Sequence, residues 1–117
     1  MKNWIVPEFQ RSLSKQPYEE VKISCDFSDK LPAYFGRLTS ATFSAVKWAI
    51  SDPDTKSAGD DIFAQNPVGL IEAPYLTHAK IEVAGGDLDH DYHVTCRAET
   101  EDGQKLEKDF VIRVREQ

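Results

Sequence analysis

"DYHVTCRAETEDGQKLEKDFVIRVR", Asp91 to Arg115, decides the fold. Its first half alternates strictly. Tyr92, Val94, Cys96 and Ala98 fall on one side of an extended chain, His93, Thr95, Arg97 and Glu99 on the other. That period of two marks a half-buried strand. In the second half Leu106, Phe110, Ile112 and Val114 point inward, and Lys108 breaks the pattern at a frayed strand start. Between the halves Asp102-Gly103 marks a turn, because glycine accepts positive φ without steric cost. The reading is a β-hairpin.

The same period recurs upstream. Val21, Ile23, Cys25 and Phe27 share one face of a strand whose other face is Glu20, Lys22, Ser24 and Asp26. Ala79, Ile81 and Val83 alternate with His78, Lys80 and Glu82. Arg37 to Ser51 is rich in Thr, Phe, Val, Trp and Ile and reads as a strand rather than a helix. Its parity shifts between Phe43 and Val46, so a bulge there would bring Phe43, Val46, Trp48 and Ile50 to the core. Residues 51–61 read as a polar loop, and Val68 to Glu72 as a short strand between prolines.

About six to eight short strands with turn signals between them imply an all-β, antiparallel two-sheet sandwich of immunoglobulin-like architecture. Cys25, Trp48, Tyr92 and Cys96 are the expected core markers. Residues 1–17 form an N-terminal arm or edge segment, and 18–117 the sandwich. Trp4, Ile5, Val6 and Phe9 make the arm a candidate partner-binding element; an extra edge strand on its own sandwich is the competing reading.

Composition narrows the function. The chain has 117 residues, 29% of them charged, with 14 basic against 20 acidic side chains and a net charge of −6. Nucleic-acid binding, which needs clustered cations, is not expected. Arg113 and Arg115 in "VIRVRE" read as one solvated strand face. No apolar run spans a membrane, and the first twenty residues lack a secretory pattern, so synthesis in a cytosol is expected. There is no CxxC motif, so Cys25 and Cys96 are read as small buried apolar residues. Neither a GxSxG elbow nor a phosphate-cradling glycine loop is present, and no enzyme activity or cofactor is expected.

"GGDLDHDYHVTC", Gly85 to Cys96, is the one stretch that suggests a metal. An EF-hand loop starting at Asp87 would need Gly and Glu where Tyr92 and Ala98 stand. His93 and Cys96 have opposite parity, so they cannot converge on zinc. The preferred reading is a turn, with aspartates capping amides and the Tyr92 hydroxyl anchoring the corner. The alternative is weak calcium binding by Asp87, Asp89 and Asp91.

"DFSDKLP", Asp26 to Pro32, followed by "LTSATFSAVKWAIS", resembles a pattern in small tailed-phage proteins. "AKIEVAGGDLDHDYHVTCRAETEDGQKLEKDFVIRV" is similar to the ending of the same family. These are the immunoglobulin-like structural proteins of tailed phages and prophages, of the fibre–tail adaptor type. The resemblance covers roughly residues 18 to 115. The family's turn is shorter and neutral where this chain has Asp87 to Asp91. The resemblance implies a virion tail component that is made in the bacterial host cytoplasm. It would join the tail to a fibre or to neighbouring tail proteins, with self-association into a ring as one option. The other reading is a stand-alone immunoglobulin-like adhesion or ligand-binding module, with calcium as an optional aid.

Overall fold

The hairpin between Asp91 and Arg115 lies inside a larger five-stranded sheet. A computed structural model describes residues 4–5, 12–31, 37–64, 69, 71 and 77–116. Its strands are β1 Trp4–Ile5, β2 Ser12–Lys15, β3 Val21–Asp26, β4 Leu38–Ala49, β5 Asp52–Ala58, β6 His78–Val83, β7 His90–Thr100 and β8 Lys105–Val114. Short 3-10 turns cover Ser28–Lys30 and Asp60–Ile62.

Among the described residues the strands form two sheets, β1-β3-β6 and β2-β8-β7-β4-β5. β7 pairs antiparallel with β4 on one side and β8 on the other. Most neighbours are antiparallel, but β1 runs parallel to β3 and β2 parallel to β8. The chain is an all-β, two-sheet sandwich of immunoglobulin-like architecture, with the N-terminal strands dividing between the two sheets.

The core follows from the alternation. Ile23, Cys25 and Phe27 from one sheet face Tyr92, Val94, Cys96 and Ala98 from the other, and all are buried. Ala79, Ile81 and Val83 of β6 and Phe110, Ile112 and Val114 of β8 complete the two inner faces. Phe43 and Phe63 meet edge to face, with ring centroids 6.1 Å apart. Burying a side chain of this size contributes about 2–3 kcal/mol.

Four sequence readings need correction. The first concerns β4. Ala41, Phe43 and Ala45 point inward without a parity change, and the irregularity in its pairing with β7 lies earlier, between Leu38 and Ser40. Val46, Trp48 and Ile50 therefore face outward. Trp48 is half-buried instead of central, and Lys56 of β5 places its ammonium 5.3 Å from the indole centroid. Second, most of the expected polar loop at 51–61 is strand β5, which pairs with β4 and has every residue exposed.

The third correction is Lys108, which belongs to the inner-facing set of β8. Its ammonium lies 5.8 Å from the centre of the Phe27 ring and reaches the Asp26 carbonyl at 2.8 Å and Asp29 at 2.7 Å. A lysine can occupy an inward position at a sandwich rim because its head still finds polar partners. Fourth, Arg113 is exposed, but Arg115 is half-buried and donates to Asp91 at 2.7 Å. The strand expected at Val68 to Glu72 lies mostly outside the described residues.

Inward and outward positions on β4 should differ sharply in cost. Phe43→Ala should lower stability by about 3–5 kcal/mol. Trp48→Ala should cost only about 1 kcal/mol, the scale of a partly exposed aromatic contact with a cation. Urea denaturation of both variants checks this; equal losses would return Trp48 to the core.

Candidate assembly surfaces

The turn between β6 and β7 is a polar corner built around Tyr92. Gly85, Gly86 and Asp89 have φ of 65°, 97° and 58°, the left-handed region that glycine and aspartate tolerate best. At Gly86 an added Cβ would also stand 2.9 Å from Ile62 and from Val114, so the backbone there is packed against the core. The Tyr92 hydroxyl accepts the Asp87 amide at 2.8 Å and donates to Asp61 at 3.3 Å. Burial pushes the Tyr92 phenol above its ordinary pKa.

The three aspartates do not converge. Asp87 receives the Lys47 ammonium at 2.8 Å, and Asp91 receives the Arg115 guanidinium at 2.7 Å. Asp89 acts through its backbone: its amide donates to the Val114 carbonyl, and its carbonyl accepts from Ile50. The Lys47 hydrogen bond holds the Asp87 carboxyl below the usual carboxylate range, and the same bond raises the Lys47 pKa. Among the described residues no group of three or more His, Cys, Asp and Glu side chains is placed to hold a metal.

The N-terminal segment is paired with its own domain at two points. Trp4 and Ile5 lie opposite Lys22 and Ile23, at one edge of the smaller sheet. Val6 and Phe9 lie outside the described residues. Ser12 to Lys15 pair with Val111 to Val114 at the edge of the larger sheet. Sequence reasoning missed the residue that pins this strand. Lys15 is 1% exposed, and its ammonium donates to the carbonyls of Gln16 and Gly85. Burial lowers its pKa. The only signal was its position opposite Val114 in a parallel register, which the sequence does not display.

Apolar surface gathers at the opposite rim of the larger sheet. Val46 is 41% exposed and Ile50 48%, on the outer face that also carries Trp48. Leu88, 41% exposed, lies in the neighbouring turn, which the Ile50–Asp89 hydrogen bond of 3.0 Å ties to the end of β4. A shallow groove lined by Trp48, Ala49, Asp52, Thr55, Ser57 and His90 runs beside them. Among the described residues β5 is the edge strand here, and Pro53 and Lys56 within it blunt indiscriminate strand pairing.

Two outcomes test this account of the corner. Tyr92→Phe strands the Asp87 amide and should cost about 1–2 kcal/mol at neutral pH. A phenol with a raised folded-state pKa supports the fold below about pH 10, and that support is lost as pH rises through the raised value. Denaturant titrations should therefore show the wild type losing stability above about pH 10, with a smaller loss in the variant. A second measurement is thermal melting in calcium and in chelator. Equal melting temperatures are expected, because Asp87 and Asp91 already hold protein cations; a rise of several degrees in calcium would contradict this.

No helix among the described residues is long and apolar enough to cross a membrane. No curated protein matches the chain. A solved structure of murine CRIg is similar at 16% identity, with a TM-score of 0.43, across 89% of this chain and 90% of that one. The family described as podophage GP4 fiber-tail adaptor protein gp77 matches residues 15–113, from Lys15 in β2 through Arg113 in β8. The chain belongs to this family of podophage fibre–tail adaptor proteins.

Proposed function

We propose that the chain is a non-catalytic connector in a phage or prophage virion that joins the tail to a fibre or to neighbouring tail proteins. Membership of the fibre–tail adaptor family across residues 15–113 is the observation that carries this reading. The protein would work in the virion tail after synthesis in the bacterial host cytoplasm. Its partners are other tail or fibre proteins, with copies of itself in a ring around the tail axis as a further contact. A net charge of −6 with scattered basic residues disfavours nucleic acid as a partner.

The geometry supports a docking surface at the rim formed by Val46, Trp48, Ile50 and Leu88, rather than one formed by the arm alone. These side chains are apolar, outward-facing and close to β5, the edge strand of the larger sheet among the described residues. Aromatic and aliphatic anchors of this kind dominate protein–protein affinity once buried. Trp4, Ile5, Val6 and Phe9 remain the second candidate contact, although the backbone of Trp4 and Ile5 is paired with β3.

Trp48→Glu and Ile50→Glu should each weaken binding to purified tail or fibre proteins of the same virion at least tenfold, about 1.4 kcal/mol. Their melting temperatures should stay close to wild type. Calorimetry and light scattering provide the measurements. Unchanged affinity in both variants, with affinity lost on removal of residues 1–11, would move the contact to the arm.

A further inference from the structure

The pairing registers lay out the outer face of the larger sheet row by row. Trp48 of β4 lies opposite Asp91 of β7, and Asp91 opposite Arg113 of β8. The next row is Val46, His93 and Val111, and the one beyond it Ser44, Thr95 and Asp109. All of these point away from the core. Residues directly opposite in a ladder share a face, and Tyr92 and Val94 take the inner one.

Charge on these rows is unevenly matched. Both carboxylates already have cationic or imidazole neighbours: Asp91 receives Arg115 at 2.7 Å, and Asp109 stands 3.5 Å from His93. Two cations have no carboxylate against them among the described residues. One is Arg113, which is exposed. The other is Lys56, whose ammonium lies 5.3 Å from the centre of the Trp48 indole and 3.2 Å from the Pro53 carbonyl. Of the exposed acids at this end, Asp52 is in register with Ala49, at inward parity. Asp54 and Asp89 belong to the irregular stretch of β5 and to the β6–β7 turn.

Trp48 is therefore flanked across the sheet by two cations, Lys56 on its β5 side and Arg113 toward β8, on a protein whose net charge is −6. β5 and β8 are three strand spacings apart, so the cations stand on the order of 14 Å from one another, the reach of about four residues of extended chain. We infer that this face takes an acidic partner: a segment of a neighbouring tail or fibre protein with an apolar side chain set on Trp48 and Val46 and carboxylates meeting Lys56 and Arg113. The inference rests on the connector reading and adds the chemistry of the partner.

The charge pattern selects among occupants. A basic segment would bring like charges onto Lys56 and Arg113. A second copy docked by the same face would also set cations against cations, which disfavours a two-fold dimer here. An acidic segment gains the attraction of both cations during approach, and the apolar centre then holds it.

The test measures binding of the full chain to each purified tail or fibre protein of the same virion, by calorimetry and by stopped-flow association rates. Lys56→Glu and Arg113→Glu should each weaken binding about fivefold or more, chiefly by slowing association, and Arg113→Lys should leave it close to wild type. The losses should shrink as salt rises from about 20 mM to about 500 mM, because salt screens exposed charges. Both side chains are exposed, so the melting temperatures of the variants should match wild type. Binding weakened by Trp48→Ala but indifferent to both charge reversals would overturn the acidic partner and leave the connector reading standing. Charge reversals that strengthen binding would do the same, as would self-association of the wild type that Arg113→Glu abolishes, or duplex DNA bound in preference to the proteins. A wild type that binds no tail or fibre protein would instead remove the connector reading, and this inference with it.

Discussion

The pairing of β7 on both flanks is the constraint on which the molecule depends. β4 and β8 both bond to it along its length, so neither of its edges is open to solvent. Its side chains can then only point into the sandwich or out of the sheet. Tyr92, Val94, Cys96 and Ala98 take the inner positions and are fully or almost fully buried. Register follows from that choice, because a one-residue slip would exchange those four for His93, Thr95, Arg97 and Glu99. The inner faces of β4 and β8 are then set by their registers against β7.

Charged groups finish the rims where apolar side chains run out. Lys47 has inward parity at the end of β4 that meets the β6–β7 turn. Its amine lies 5.9 Å from the centre of the Tyr92 ring and continues to Asp87 and Asp61. Lys108 does the same at the other end, over Phe27 and out to Asp29. Lys15 secures the N-terminal strand by filling the carbonyls of Gln16 and Gly85. In each case the ammonium meets oxygen, which removes the penalty of an unpaired buried charge. These lysines close the sandwich at places where a larger apolar residue would leave greasy surface.

The hairpin, β3 and β6 were legible because each is half-buried and carries the full alternation. The turn between β7 and β8 was legible for a similar reason: Gly103 has φ of 87°, a conformation that names its residue. β4 was only half legible. Val46, Trp48 and Ile50 look like core by composition, and a bulge was inferred to bring them inside. The structure instead gives the inner site to Lys47, which a hydropathy pattern reads as polar. β5 was illegible because all its residues are exposed and nothing in it alternates. The N-terminal pairing was illegible because parallel edge strands take their register from a distant partner, here Val111 to Val114. The family resemblance over residues 18 to 115 survived these errors, since the family match spans 15–113. It rested on the turn chemistry and hairpin pattern, which local sequence does encode.

The misreading of β4 bears on the proposed connector role. A strand in the middle of a sheet needs apolar residues on one face only. β4 carries them on both: Ala41, Phe43 and Ala45 within, Val46 and Trp48 without. The inner set is explained by folding. The outer set contributes little to the fold, because its side chains remain partly in water, with Lys56 set beside the indole. Tolerating exposed apolar surface beside an edge strand carries a risk of aggregation, which Pro53 and Lys56 on β5 reduce. A connector has a use for such a face: it is lost to solvent only in the assembly, so its burial drives docking instead of folding. Under that reading, the residues least consistent with an isolated sandwich are the ones that make it part of something larger.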